Sequence, residues 1–152
     1  MATSSTTDLW GTIAAEAAEE SPLWGESLRV DAEREPVFSP LVEARYALGL
    51  ETIYEGYLLH YGRPRLFAPL DADVALLTGD YLYAHGLARI AALGELDAVA
   101  GLAELISTCA ALRAEGRPGD GAAWVALARR LGGARDADAV ERALVAHAAR
   151  VD

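Results

Sequence analysis

Ala75-Leu76-Leu77-Thr78-Gly79-Asp80-Tyr81-Leu82-Tyr83-Ala84-His85-Gly86-Leu87-Ala88 lies inside an Ala- and Leu-rich run from Val74 to Leu93 that contains no proline and is followed by Gly94. Alanine and leucine are the best helix formers, and a glycine just past the last apolar residue is a common stop. Asp71 or Asp73 supplies an N-cap, so the run reads as one long helix. At about 100° per residue, Thr78, His85 and Arg89 fall within roughly 20° of one line, which predicts the wet side, while Asp80 lies about 160° away. A carboxylate on the apolar side must keep a hydrogen-bond donor or lose its charge. Asp80 is therefore expected to be paired or to face polar groups.

Outward from this helix, Gly and Pro punctuate further Ala- and Leu-rich segments. Toward the C-terminus these predict helices over 97–115, 120–131 and 136–150. Toward the N-terminus, a helix from Thr7 or Asp8 to about Glu20 ends at Ser21-Pro22, and 23–37 reads as irregular. Ser39-Pro40 places an N-cap before a proline and predicts a long helix to about His60. Its stripe Tyr46, Leu50, Ile53, Tyr57 follows one helical face, which leaves Glu43, Glu51 and Glu55 on a face expected to be solvated. Strand signals are weak. The expectation is an all-α, single-domain bundle of about six helices, with residues 1–38 as N-terminal helix and irregular linker and 39–152 as the bundle.

A chain of 152 residues suits one domain, and its net charge of −10 argues against a nucleic-acid partner. No apolar run approaches the roughly 20 residues of a membrane span. The N-terminus lacks the pattern of a secretory signal, so a cytoplasmic home is expected. All 13 basic residues are Arg, and Lys is absent. Cys109 cannot form an intramolecular disulfide and reads as a small buried hydrophobe. His60, His85 and His147 read as surface or core-edge residues, and Arg63 and Arg65 as part of a solvated turn. Trp10, Trp24 and Trp124 read as core anchors unless exposed, in which case they suggest an interface. Asp136-Ala137-Asp138 reads as a helix cap.

The Gly79-Asp80-Tyr81-Leu82 segment, with Gly62-Arg63-Pro64 placed 17 residues ahead of it, resembles the Gly-Asp-Tyr-Leu-x-Ala helix of trans-polyprenyl diphosphate synthases. The likeness covers roughly residues 40–116 and implies part of the all-helical isoprenoid synthase fold. Without a gap, the family's aspartate-rich motif falls on Glu51-Thr52-Ile53-Tyr54-Glu55, where two glutamates remain as weak candidates for a metal site. The diphosphate-gripping Arg pair falls on His60-Tyr61, and the family's lysine has no counterpart. The resemblance thus implies no catalytic residues and no cofactor of the chain's own, with Mg²⁺ entering only through a catalytic partner.

Three functions are compatible with these residues. The first is a non-catalytic small subunit, similar to that of two-component heptaprenyl or hexaprenyl diphosphate synthases used for menaquinone side chains. It would associate with a catalytic polyprenyl diphosphate synthase through the helices at 74–93 and 97–115 and shape its product. Tyr46, Ile53, Tyr57, Leu77, Asp80, Tyr81 and Leu87 are the interface or tunnel candidates. The alternative is a homodimeric binding protein for a prenyl diphosphate or a prenyl or terpenoid lipid, which expects a continuous cavity lined by Tyr46, Ile53, Tyr57 and Leu77. The third is an enzyme of reduced chemistry using Glu51, Glu55 and Asp80.

Overall fold

The computed structural model describes residues 8–133 and 136–151. Its helices are α1 (Leu9–Glu20), α2 (Pro22–Glu26), α3 (Ala47–Tyr61), α4 (Ala72–Ala91), α5 (Leu96–Ala114), α6 (Asp120–Arg130) and α7 (Ala137–Val151). Short 3₁₀ turns at Ser39–Leu41 and Ala44–Tyr46 lead into α3. The architecture is all-α, and among the described residues the sole β pairing is an isolated bridge between Leu28 and Phe67.

Local chemistry sets most boundaries. Ser21 is extended (ψ 138°), which stops α1, and its hydroxyl accepts from Leu23 N–H at 3.1 Å, which starts α2 with Pro22 in the first turn. Asp71 caps α4 by accepting from Val74 N–H at 2.9 Å. Gly116, at φ +64°, closes α5 in a Schellman arrangement in which Arg117 N–H donates to Leu112 C=O at 2.9 Å. Asp136 accepts from Asp138 N–H at 3.1 Å, the capping role read from the sequence.

Two boundaries differ from expectation. The short helix α2 forms inside the stretch read as irregular. The long helix expected from Ser39 is interrupted, because Val42 and Glu43 are extended (ψ 167° and 146°) and divide the segment into two 3₁₀ turns before α3 begins.

Helix α3 is the centre of the molecule: every residue from Gly49 to Leu59 is buried. One side carries the main core, with Tyr46, Leu50, Ile53, Tyr54 and Tyr57 packed against Phe38, Leu102, Trp124 and Ala128. A second cluster joins Trp10, Ile13 and Ala17 of α1 to Leu59, Leu66, Phe67 and Leu82. The segment after α2 is tied down too: Arg29 N–H donates to Leu66 C=O at 2.8 Å and Glu33 N–H to Arg65 C=O at 3.0 Å.

Helices α3 and α4 meet backbone to backbone through glycines seven residues apart on each, Gly49 and Gly56 facing Gly86 and Gly79. A Cβ on Gly56 would lie 2.9 Å from Gly79 C=O, and one on Gly86 would lie 3.1 Å from Gly49 C=O. Each glycine costs a helix about 1 kcal/mol relative to alanine. Close approach of the helices, which alanine would prevent, offsets that cost. Gly79 and Gly86 therefore set the spacing of α3 and α4.

Candidate functional site

Glu51 and Glu55 stand four residues apart on α3 and thus share a face. That face is not solvated: both side chains are completely buried, and so is Arg65. The Gly62-Arg63-Pro64 turn brings Arg65 back across α3. Arg65 Nη1 donates to Glu51 Oε1 at 2.6 Å and Nε to Glu55 Oε1 at 3.0 Å. The remaining oxygens are also engaged. Glu51 Oε2 accepts from Val37 and Ser39 N–H at 3.1 and 3.2 Å, and Glu55 Oε2 accepts from Arg65 and Leu66 N–H at 2.9 and 2.8 Å. Arg65 Nη1 also donates to Glu35 C=O at 2.8 Å, and the guanidinium lies 4.7 Å from the Trp10 ring and 5.1 Å from that of Tyr54.

Burial alone would weaken the arginine's hold on its proton, and Glu51 and Glu55 more than offset it, so its pKa rises above the ordinary value. The readings of Glu51 and Glu55 as solvated and of Arg65 as part of a solvated turn are corrected. These residues form a buried ionic knot that binds the segment 33–39 and α1 to α3. As a metal site the pair is already filled by the chain's own cation. Mg²⁺ favours several oxygens in octahedral array, and here the carboxylate oxygens point at N–H donors.

The sides of α4 are reversed relative to the sequence reading. Thr78 is buried and returns its hydroxyl to Val74 C=O at 2.7 Å. His85 Nε2 and Arg89 Nη2 reach Glu16 Oε1 of α1 at 2.8 and 2.6 Å. The polar line is thus the side toward α1, and polarity misled because Thr78 bonds within its own helix and His85 and Arg89 pair with Glu16 of α1. Asp80 is instead 70% exposed, with Oδ1 3.1 Å from His60 Nε2. It is remote in role from Glu51 and Glu55, which the structure does not bring to it.

Tyr46, Ile53 and Tyr57 are buried in the main core, whereas Leu77 is 53% exposed on α4. These residues therefore line no common cavity. Tyr81 is part-buried and stacks on Trp24 at 5.3 Å between ring centroids, and Leu87 packs partly buried against the main core.

A cleft of about 490 Å³ opens at one pole, lined by Leu112, Arg113, the loop 116–119, Asp120, His147 and Val151. At its base Tyr57 Oη donates to Asp120 Oδ2, Arg113 Nε donates to the same oxygen at 2.7 Å, and Arg113 Nη2 donates to Tyr57 Oη at 2.9 Å. Burial first, and the hydrogen bond to Asp120 second, raise the Tyr57 phenol far above its usual pKa. His147, expected at the surface or the core edge, is buried with Nδ1 2.7 Å from Tyr54 Oη. None of Arg113, Asp120 and His147 is distinctive in the sequence, since an aspartate opening a helix is ordinary capping chemistry. Cys109 is buried, as expected of a small hydrophobe, and burial pushes its thiol up to about 12.

Among the described residues no group of three or more His, Cys, Asp or Glu is arranged to hold a metal ion. No described helix is long and apolar enough to cross a membrane. Compared with known protein families, curated proteins and solved structures, the chain gives no match.

Proposed function

We propose that this chain is a non-catalytic helical subunit that associates with a catalytic polyprenyl diphosphate synthase and influences product chain length in isoprenoid or menaquinone side-chain synthesis. The observation that carries the reading is Arg65. The resemblance puts Glu51 and Glu55 at the metal-binding motif, and there a buried guanidinium engages both carboxylates. Ionising an allylic diphosphate requires electrostatic stabilisation of the leaving group. In this reading that stabilisation, and Mg²⁺, come from the partner. The contribution of this chain is then surface rather than tunnel, because Tyr46, Ile53 and Tyr57 are committed to its own core. That packing favours the subunit reading over the lipid-binding alternative, which expects the same residues to line a cavity.

The test is co-expression with the polyprenyl synthase homologues of the same genome, followed by pull-down and an allylic diphosphate elongation assay. Co-purification with an activity or product length that neither protein shows alone is the expected result. Failure with every homologue overturns the reading.

A further inference from the structure

Charge is segregated along this chain. From Asp8 to Leu28 there are five carboxylates (Asp8, Glu16, Glu19, Glu20, Glu26) and no arginine; from Leu66 to Ala88 there are three (Asp71, Asp73, Asp80) and again no arginine. The fold brings these two segments together. Trp24 of α2 stacks on Tyr81 of α4, and Trp10, Ile13 and Ala17 of α1 pack with Phe67 and Leu82. Glu16 is matched by Arg89, but among the described residues no cation pairs with Glu19, Glu20, Glu26 or Asp73.

The solvent side of α4 also exposes apolar side chains. Leu76 and Leu77 are 50% and 53% exposed on α4, each within one turn of Asp73 and Asp80. Leu77 precedes Tyr81 by one turn, Tyr81 stacks on Trp24, and Leu23 beside it is 39% exposed. On α4 the exposed leucines thus flank the line of Asp73 and Asp80, with Leu77 on the side toward Tyr81.

We infer that this face docks a cationic amphipathic helix of a partner protein, its apolar side on Leu23, Leu76, Leu77 and Tyr81 and its Arg or Lys residues on the surrounding carboxylates. A second copy of this chain is the wrong occupant, because a two-fold contact here would set like charges against one another. Anionic lipid headgroups are repelled for the same reason. The inference rests on the proposed role as an associating subunit and names the chemistry of the partner's contact.

The probe is a Leu/Arg peptide of about 18 residues with leucines at helical i, i+3, i+4 spacing, titrated calorimetrically against the full chain. Controls are the same composition scrambled and a Leu/Glu counterpart. Binding of the patterned peptide is expected to weaken at least tenfold in Leu76→Ser/Leu77→Ser and in Glu20→Gln/Asp73→Asn, to fall steeply with salt, and to be unchanged in Leu96→Ser, an exposed leucine elsewhere. Equal binding of the scrambled peptide, or full binding by Leu76→Ser/Leu77→Ser with a native circular dichroism spectrum, overturns the inference. So does a homodimer that Leu77→Arg dissociates. Co-purification with a synthase that survives both double variants overturns this surface while leaving the proposed function standing. Peptide binding without any synthase partner does the reverse.

Discussion

Arg65 Nη1 stands 2.6 Å from Glu51 Oε1 with neither side chain reached by solvent. Removing one member of a buried ion pair leaves an uncompensated charge and typically costs about 3–5 kcal/mol. Arg65→Met is expected to lose stability of that order in urea denaturation. Adding Glu51→Gln to it should recover part of the loss. The amide oxygen still accepts from Val37 and Ser39 N–H, while one orphaned charge disappears. A double-mutant cycle reads the coupling directly; strict additivity of the two substitutions would contradict the geometry.

The same occupancy bears on metal binding. With both carboxylates held by Arg65 and by backbone N–H groups, millimolar Mg²⁺ is expected to leave the thermal midpoint of the chain alone unchanged. Any ion that binds the native state selectively must raise the midpoint by mass action. A Mg²⁺-dependent rise abolished by Glu51→Gln/Glu55→Gln would show that the guanidinium is displaced.

The glycine contacts between α3 and α4 give a prediction whose sign opposes intrinsic helix propensity. Gly56→Ala should stabilise an isolated helix by about 1 kcal/mol. In the folded chain the new methyl meets Gly79 C=O at 2.9 Å and a Tyr83 ring carbon at 3.0 Å. Overpacking of a close helix contact costs about 1–3 kcal/mol, so the variant should unfold at lower denaturant. An unchanged or higher midpoint would mean that α4 moves away without penalty.

Much of the helical layout was legible because caps and stops are local. Ser21-Pro22, Asp71, Gly94 and Asp136 act within a few residues of themselves. The functional surfaces were less legible, because they depend on what each helix faces. The amphipathic template assigns one dry side, and α3 has none to spare: α4 lies on one side, Phe38 and Trp124 on another, and the returning Arg65 on the face that carries Glu51 and Glu55. Arg65, just beyond the turn that ends α3, was the available signal for that knot. On α4 the polar line Thr78, His85, Arg89 indicated contact rather than solvent, because Glu16 of α1 partners His85 and Arg89 while Thr78 bonds back to Val74 C=O. Asp80, assigned to the dry side, faces out. The cleft around Asp120 joins side chains from α3, α5, α6 and α7, a grouping that tertiary contact alone creates.

Alkaline pH tests the buried phenols and the thiol together. Tyr54, Tyr57 and Tyr83 are all raised far above the usual tyrosine pKa, with burial the first cause in each, and Cys109 is pushed up to about 12 by burial. In the unfolded chain these groups ionise near 10 for tyrosine and near 8.5 for cysteine. Above those values the unfolded state binds fewer protons than the native state, so stability falls as pH rises. The window opens at about pH 8.5 with Cys109 and steepens beyond about pH 10 as the tyrosines of the unfolded chain ionise. Cys109→Ala is expected to flatten the first part of the decline. Tyr57→Phe should reduce its steep part while losing about 1–2 kcal/mol at neutral pH, because Asp120 forfeits a buried donor. Urea midpoints measured from pH 7 to 11 for the three proteins separate these contributions. A wild-type midpoint that stays level to pH 11 would mean that the phenols and the thiol reach solvent in the native state.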